Sequence, residues 1–299
     1  MDGILNLHKP AGPTSFDMVR SVRRASGEKR VGHAGTLDPA ASGVLPLLLG
    51  QATRLSDFFL TARKTYVATV AFGTATDSHD AMGTVTAQHP VPPLTRLELE
   101  ALLAPFRGEQ LQMPPMFSAL KQGGRPLYEL ARAGQEVERA ARPVSIYRLD
   151  LLDWNGRVLR IEVECSRGTY IRVLAHELGQ RAGCGAHLAA LVRSRVGPFS
   201  VADAFPLIPA APPSLAELQA ALHPLDAMLL SLPAAILDEA EELRLMHGRA
   251  LAGPALPGAE GGLGRAYGAD GELLGLLTFQ ASTGWAPTKV LKQPAALDA

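Results

Sequence analysis

The sequence GHAGTLDPAASGVL at residues 32–45 restricts the backbone more than any other segment of the chain. Its three glycines and its proline disfavour the interior of a helix or strand, so we predict a structured loop here. The loop carries one carboxylate, Asp38, and Pro39 after it favours an extended conformation at Asp38. Residues 44–50 follow as an apolar run that is predicted to be buried.

This carboxylate has two interpretations. A charged group on a glycine-rich loop that is anchored by a buried segment is a plausible catalytic group. Aspartate in such loops also commonly caps a turn, through hydrogen bonds to the backbone. The loop by itself leaves both interpretations open.

Hydrophobic periodicity predicts both helices and strands, without a regular β-α-β order. Residues 64–72 and 160–165 alternate between apolar and polar side chains, which is typical of half-buried strands. Residues 17–26 are predicted to be helical. A second helix is predicted to begin after Gly168 and to end near Gly183, because its apolar residues form one stripe. These elements predict an α+β fold.

Prolines and a change in charge sign divide the chain. The net charge is zero, yet residues 1–199 hold 24 Lys and Arg against 18 Asp and Glu, whereas residues 200–299 hold 5 against 11. The basic part could contact phosphates, or its charges are simply solvated. A boundary is predicted near residues 205–232, which are rich in proline. Beyond it, a helical pattern at residues 238–247 and an apolar run at residues 273–279 predict a small unit of β-barrel character.

Several classes of protein are disfavoured. The chain lacks the run of about 18 apolar residues that a membrane helix needs, and residues 1–6 do not resemble a signal peptide. Two cysteines, Cys165 and Cys184, cannot build a disulfide framework. Neither a set of metal ligands at suitable spacing nor a nucleotide-binding glycine motif is present. We therefore expect a cytoplasmic protein with no membrane association, no metal and no cofactor.

Several segments resemble, in order, the motifs of the TruB family of tRNA pseudouridine-55 synthases. The resemblance spans nearly the whole chain, and several motifs in the same order as in the family do not arise readily by chance. The segments are residues 4–15 with the sequence NLHKP, the loop at 32–45, KTY at 64–66 with GTATDSHDAMG at 73–83, residues 114–121 continuing to 128–132, and CSRGTYIR at 165–172.

The resemblance implies a fold and a division of the chain. It implies the pseudouridine synthase fold, a mixed and mostly antiparallel sheet flanked by helices, with the active-site cleft across its middle. Residues 1–231 would form this catalytic domain. Residues 232–299 would form a PUA-like RNA-binding barrel, although their acidic character is unusual for a unit that contacts phosphates.

The resemblance also assigns catalytic roles to three residues. Asp38 matches the family's catalytic carboxylate, which attacks either C1′ of the ribose or C6 of the uracil. Arg172 matches the arginine that pairs with it, a role that suits a bidentate and permanently charged group. Tyr66 matches the tyrosine that stacks on the target base and is a candidate to take the C5 proton. From the residues alone, a strand tyrosine such as Tyr66 is more often part of the core. Arg172 lies next to Ile171 of the apolar stripe, so its position fits both a solvated helix residue and a partner of Asp38.

Further residues correspond to substrate contacts. Tyr170 and Leu191 match pocket residues that wall the uracil, His33 matches the histidine that enters the RNA stack, and Asp80 matches a second carboxylate near the site. The resemblance implies that the substrate is the T arm of tRNA, whose uridine would have to be flipped out of the loop before reaction. The candidates for phosphate contacts are Lys9, Arg20, Arg23, Arg24, Lys29, Arg30, Lys121, Arg125 and Arg132. No protein partner is implied, and a monomer is expected.

Three alternatives remain at this point. The scaffold could serve a non-catalytic protein that binds or folds tRNA, although the set Asp38, Tyr66, Tyr170 and Arg172 is intact. The chain could belong to a branch of the superfamily that depends on guide RNA, although it lacks that branch's lysine-rich extensions. A glycosidase-like hydrolase is disfavoured, because no second motif carboxylate is clearly paired with Asp38.

Overall fold

Apolar strands form the centre of the fold, and the helices pack around them. A computed structural model describes residues 1–118, 120–135, 137–208, 213–251, 256 and 260–292. The strands are β1 Gly3–Lys9, β2 Val31–His33, β3 Ser42–Leu49, β4 Lys64–Phe72, β5 Thr74–Thr76, β6 Val85–Gln88, β7 Gly108–Gln112, β8 Lys121–Gln122, β9 Arg125–Pro126, β10 Arg142–Trp154, β11 Val158–Cys165, β12 Ala186–Val196, β13 Phe199–Ser200, β14 Phe205–Pro206, β15 Leu222–His223, β16 Ala234–Ile236, β17 Leu263–Tyr267, β18 Leu273–Gln280 and β19 Gly284–Val290.

The helices lie between these strands. They are α1 Ser15–Ser26, α2 Ser56–Thr61, α3 Arg96–Leu103, α4 Leu127–Arg132, α5 Ile171–Arg181, α6 Leu215–Ala220 and α7 Glu239–Met246. Four of them, α1, α3, α6 and α7, begin with capping boxes, in which the N-cap side chain and the acidic residue three positions later satisfy each other's backbone N–H groups.

The main sheet is mixed and mostly antiparallel. Its strand order is β14-β1-β3-β12-β4-β11-β10-β7, with β2, β13 and β15 paired beside this path. Only two of its pairings, β1 with β14 and β12 with β3, are parallel among the described strands. The α+β class with a mixed sheet flanked by helices is therefore confirmed.

Three neighbouring strands at the middle of this sheet carry the predicted site. The strand β3 follows the glycine-rich loop, β12 lies next to it, and β4 pairs with the other edge of β12. Tyr66 on β4 lies opposite Arg193 on β12 in the antiparallel register. The predicted loop at residues 32–45 is shorter in the structure, because residues 32–33 belong to β2, which pairs with residues 47–49, and residues 42–45 belong to β3.

The C-terminal part forms a second, four-stranded sheet in the order β16-β17-β18-β19. It has its own apolar cluster, which includes Leu245, Leu251, Leu274 and Trp285, and it fits the expected PUA-like unit. The domain limit at residues 231 and 232 stays a prediction.

The second sheet also packs against the first part of the chain. A shared apolar cluster joins Leu55 and Leu229 to Leu273, Leu276 and Leu291. The ammonium of Lys289 donates to the carbonyl oxygen of Arg54 at 2.7 Å and to the carboxylate of Asp57 at 3.1 Å. Within the part of the chain that the structure describes, no helix is both long and apolar enough to cross a membrane.

The helix α5 lies unusually close to the strand that follows it. A Cβ added at Gly179 would lie 2.0 Å from the backbone N of Ala186 and 2.4 Å from the carbonyl C of Gly185. The absence of a side chain at Gly179 therefore lets α5, with Arg172 in its first turn, rest directly on β12.

Substituting Gly179→Ala should lower the free energy of unfolding by at least about 2 kcal/mol, because backbone cannot yield cheaply to such an overlap. Helix propensity alone would favour alanine by roughly 1 kcal/mol, so the two effects have opposite signs. Urea unfolding measures the difference. The neighbouring exposed residue provides the control, since Gln180→Ala should change stability by no more than about 0.5 kcal/mol. A stabilised Gly179→Ala variant would show that the close approach is absent.

Candidate active site

Two buried cations hold the loop that carries Asp38, which we call the Asp38 loop. Lys9 is fully buried, and its ammonium donates to the carbonyl oxygens of Pro10 at 3.0 Å, Pro39 at 3.1 Å and Ala41 at 2.7 Å. Burial lowers the pKa of Lys9 to about 8, and the nearby Asp38 carboxylate opposes that shift. Lys9 therefore remains mainly an ammonium at pH 7, with all three of its N–H groups directed at main-chain oxygens.

This geometry corrects the expectation that Lys9 contacts a phosphate of the substrate. A phosphate needs an accessible donor, and the three donors of Lys9 lie inside the protein. Its observed contacts fix the loop on both sides of Asp38. The sequence pattern favoured a surface position for Lys9, because lysine is seldom buried without partners.

The second buried cation is Arg193 on β12, which no sequence motif indicated. It is 1% exposed, and it donates from Nε to the carbonyl oxygen of Val44 at 2.7 Å. Its Nη1 and Nη2 donate to the carbonyl oxygens of Thr36 at 3.4 Å and of Gly35 at 3.0 Å. Arg193 thus holds the part of the loop before Asp38, and Lys9 holds the part after it.

A serine hydroxyl completes the support of the loop. Ser15, at the start of α1, accepts from the backbone N of Leu37 at 2.9 Å and donates to the carbonyl oxygen of the same residue at 3.0 Å. The backbone N of Gly12 donates to the carbonyl oxygen of Pro39 at 2.8 Å. The residues on both sides of Asp38 are therefore fixed, while its own side chain remains 48% exposed.

Arg172 connects the loop to a second carboxylate. Its Nη1 lies 3.4 Å from Oδ2 of Asp38 and 3.3 Å from Oδ2 of Asp80, and its Nη2 donates to the carbonyl oxygen of Phe117 at 2.7 Å. Arg172 is 6% exposed, so it is not the solvated helix residue of the alternative interpretation. The expected bidentate pair with Asp38 is not present, because one nitrogen serves both carboxylates.

Asp80 is held in a tight turn. Its Oδ1 accepts from the hydroxyl of Ser78 at 2.6 Å and from the backbone N of Met82 at 3.0 Å. No sequence motif pairs a second carboxylate clearly with Asp38, but in the structure Asp80 is connected to Asp38 through Arg172. Both acids contact the same nitrogen of Arg172, whereas the two carboxylates of a glycosidase flank the bond that is cleaved.

Two stacked histidines lie beside this turn and were not predicted. The rings of His79 and His176 have centroids 3.9 Å apart and are nearly parallel at 6°. Burial, reinforced by His176, lowers the pKa of His79 to about 4, so its imidazole is neutral at pH 7. His79 also has a positive φ of 65°, and the stack helps to hold this unfavourable backbone next to Asp80.

Tyr66 lies on β4 and Leu191 on the neighbouring strand β12. Both are partly buried between the two large apolar clusters of the main sheet. Burial raises the pKa of the Tyr66 phenol, and the positive charge of Arg193 opposes that effect. The phenol is therefore protonated at neutral pH, and a proton acceptor role would need a change in its surroundings.

The other predicted residues fall around this centre. Tyr170 is the N-cap residue of α5, and its ring centroid lies 5.6 Å from the Arg172 guanidinium. The backbone N of Tyr170 donates to the side-chain oxygen of the buried Gln112, and the carbonyl oxygen of Tyr170 accepts from the side-chain nitrogen of Gln112. His33 ends β2 and is half-buried, and burial lowers the pKa of its imidazole. The side chains of Lys121 and Arg132 lie outside the described residues.

The remaining phosphate candidates, Arg20, Arg23, Arg24, Lys29, Arg30 and Arg125, are exposed. Within the described part of the chain, no group of three or more His, Cys, Asp and Glu side chains could hold a metal ion.

Comparisons with known proteins agree on one family. The model of the TruB family pseudouridylate synthase N-terminal domain matches residues 23–171. The tRNA pseudouridine synthase B of Aromatoleum aromaticum is 48% identical over 92% of this chain and 88% of its own length. The tRNA pseudouridine synthase B of Dehalococcoides mccartyi is 42% identical over 97% of this chain and 96% of its own length.

Solved structures show the same fold. A Cbf5-Nop10-Gar1 complex contains a chain that is 27% identical, with a TM-score of 0.73 over 97% of this chain and 85% of that one. An H/ACA RNP bound to a substrate RNA containing 2′-deoxyuridine gives a TM-score of 0.73 at 25% identity, with the same coverage of the two chains.

The role of Arg193 can be tested apart from any activity. Arg193→Lys keeps the charge but supplies one nitrogen in place of three, which leaves buried carbonyl groups of the loop unpaired. We expect the free energy of unfolding to fall by about 2 kcal/mol or more. Hydrogen exchange should also become faster at the backbone amides of residues 34–41. The exposed Arg195, on the same strand, provides the matched control, and Arg195→Lys should change neither quantity. Equal exchange rates in the two variants would contradict the holding role.

Proposed function

This chain belongs to the TruB family of pseudouridylate synthases, and from that premise we propose that it isomerises uridine to pseudouridine in tRNA. The proposed target is the uridine at position 55 of the T arm, as the motif resemblance implies. One observation carries the proposal: the half-exposed carboxylate of Asp38 lies on a loop fixed at both ends, 3.4 Å from the buried guanidinium of Arg172.

The proposed reaction begins with Asp38 as an anion. Its carboxylate attacks either C1′ of the ribose or C6 of the uracil, and the bond between N1 and C1′ breaks. After attack at C1′ the uracil is free to turn, and C5 then bonds to C1′ and displaces the Asp38 carboxylate. After attack at C6 the uracil turns while bonded to Asp38, C5 bonds to C1′, and the Asp38–C6 bond then breaks to release the carboxylate. On either route C5 loses its proton and N1 gains one. The product is an isomer of the substrate, so the chemistry consumes no second reactant.

The environment of Asp38 supports this role. Arg172 is always charged, and its guanidinium contacts the carboxylate of Asp38 at close range. Because Arg172 is buried and also contacts Asp80, its guanidinium cannot move away from Asp38 into solvent. An RNA that covers the half-exposed Asp38 would remove water from the pair and strengthen their attraction.

We also propose how the base is held. Tyr66, Tyr170 and Leu191 present two aromatic rings and an aliphatic side chain around the position where an extruded uracil would lie. Stacking on such side chains offsets part of the free energy that is lost when a base leaves its loop. His33 is proposed to fill the vacated place in the RNA.

The chain is further proposed to act alone, as a cytoplasmic monomer that needs neither a guide RNA nor another protein. Its relatives named tRNA pseudouridine synthase B are 42–48% identical over most of the chain, whereas the chain of the Cbf5-Nop10-Gar1 complex is 27% identical. The purified chain should therefore convert an unmodified tRNA transcript by itself. Carbodiimide-stop primer extension should reveal one new stop, in the T arm. No stop with the purified chain would overturn the proposal.

Asp38→Asn should abolish pseudouridine formation while tRNA binding stays within a few-fold of wild type. An amide cannot supply the nucleophilic oxygen anion, so turnover should fall below about a thousandth of the wild-type rate. Single-turnover assays and filter binding measure the two quantities. Asp153 provides the control, because its exposed carboxylate is remote in sequence from every motif, and Asp153→Asn should be fully active. Turnover by Asp38→Asn above that limit would contradict the nucleophile assignment.

Tyr66→Phe should separate stacking from proton transfer, because the ring remains and only the hydroxyl is lost. We expect near-normal tRNA binding and a single-turnover rate lowered at least about a hundredfold, the usual contribution of a general base. Tyr66→Leu should weaken binding as well, since it removes the ring. If Tyr66→Phe reacts at the wild-type rate, the tyrosine acts by stacking alone.

A further inference from the structure

An exposed aromatic ring lies at the start of α1, outside the proposed uracil pocket. Phe16 is 53% exposed, and it is the one exposed phenylalanine among the residues that the structure describes. The guanidinium of Arg20 lies 5.5 Å from the centroid of its ring, and that of Arg23 lies 6.0 Å away. The ring and the two cations form one surface, which we call the Phe16 surface.

This surface adjoins the Asp38 loop. Ser15 is bonded through its hydroxyl to both the backbone N and the carbonyl oxygen of Leu37. Phe16 follows Ser15 and Asp38 follows Leu37, so the Cα atoms of Phe16 and Asp38 are no more than about 15 Å apart. Arg23 strengthens the connection, since its Nη2 donates to the carbonyl oxygen of Val31 at 2.7 Å.

The charges near the ring favour an anionic partner. Arg20, Arg23 and Arg24 are exposed on this helix, and Lys29 and Arg30 follow it. Asp17 is the acid nearest to Arg20, but the two are 3.9 Å apart and both are exposed, so the pair contributes little. Asp17 is also engaged in the capping box with Thr14.

A second exposed aromatic shows the contrast. Tyr147 on β10 is 47% exposed, with the guanidinium of Arg63 4.0 Å from its ring centroid. There, however, Arg63 pairs with Glu164 at 3.2 Å, and the neighbouring Arg148 pairs with Asp150 at 2.8 Å and with Glu162. The cations around Tyr147 are thus balanced by acids, whereas those around Phe16 are not balanced to the same extent.

We propose that the Phe16 surface binds an unpaired nucleotide of the substrate RNA close to the extruded uridine. The base stacks on the ring of Phe16, and Arg20 contacts a phosphate beside it. The combination suits single-stranded nucleic acid, because every base has a stacking face and every nucleotide carries a phosphate. The inference rests on the proposed function, and it adds a binding site outside the uracil pocket.

Three variants of the full-length chain test this inference by titration with tRNA transcript at several salt concentrations. Phe16→Leu should weaken binding about tenfold, the usual effect of losing one base stack, without changing the slope of log affinity against log salt. Phe16→Tyr keeps the ring and should bind within about twofold of wild type. Arg20→Gln should reduce the magnitude of that slope by about one, since one phosphate contact is lost.

Tyr147→Leu is the matched control, and it should bind tRNA as wild type does. Thermal unfolding of each variant should match wild type, because both rings lie on the surface. Transcripts with an abasic residue at successive positions near the target should identify the partner. At the contacted position, Phe16→Leu should have no further effect on affinity.

Several outcomes would overturn the inference while the proposed function stands. One is a wild-type enzyme that modifies tRNA together with a Phe16→Leu variant of unchanged affinity. Another is a loss of affinity equal to that of Tyr147→Leu. A change in oligomeric state on Phe16→Leu would show that a second copy of the chain covers this surface. A wild-type chain that neither binds nor modifies tRNA would instead remove the proposed function itself.

Discussion

The structure of the site depends on cations that are buried against carbonyl oxygens. Lys9 and Arg193 each direct three N–H groups at the backbone around Asp38. A loop with many glycines and prolines cannot satisfy its own carbonyl groups by regular secondary structure, and unpaired buried carbonyls are expensive. Moving a cation out of water also costs free energy. The buried cations and the carbonyl groups of the loop therefore stabilise each other only when they are paired in this arrangement. The rigidity of the loop follows from that mutual dependence.

Arg172 transmits this rigidity to the rest of the site. It belongs to α5, one carboxylate partner belongs to the glycine-rich loop, and the other belongs to the turn after β5. Its Nη2 binds a fourth segment, at Phe117. Four stretches of chain that are remote in sequence therefore meet at one guanidinium. Each restricts the position of the others, so the carboxylate of Asp38 is placed by contacts on several sides while its surface stays open.

The sequence predicted those parts that local rules control. The strand at residues 64–72 and the helix that begins at Ile171 appear as expected, because alternation and helical spacing reflect burial directly. The helix predicted at residues 17–26 is also present, as Ser15–Ser26, and a capping box, which is a local signal, marks its start.

The buried cations were not predicted, because charge patterns place lysine and arginine in solvent. Arg193 occupies a strand position that looks no different from that of the exposed Arg195 two residues later. Lys9 was assigned to phosphate for the same reason. The carbonyl groups come close to these side chains only through the long-range fold of the chain, and local sequence rules do not predict that fold. The sharing of Arg172 between Asp38 and Asp80 is likewise a long-range result.

The order of the strands has a consequence for the newly made chain. The first strand, β1, pairs with β3 on one side, and that pairing joins residues 3–9 to residues 43–49. Its other edge is covered by β14 and β15, at residues 205–206 and 222–223. During synthesis the N-terminal strand therefore leaves the ribosome about two hundred residues before its second neighbours exist. Until then it is an apolar strand with an open edge, the kind of surface that pairs with other chains. We expect a nascent chain of this protein to depend on chaperone protection until the late proline-rich segment closes that edge.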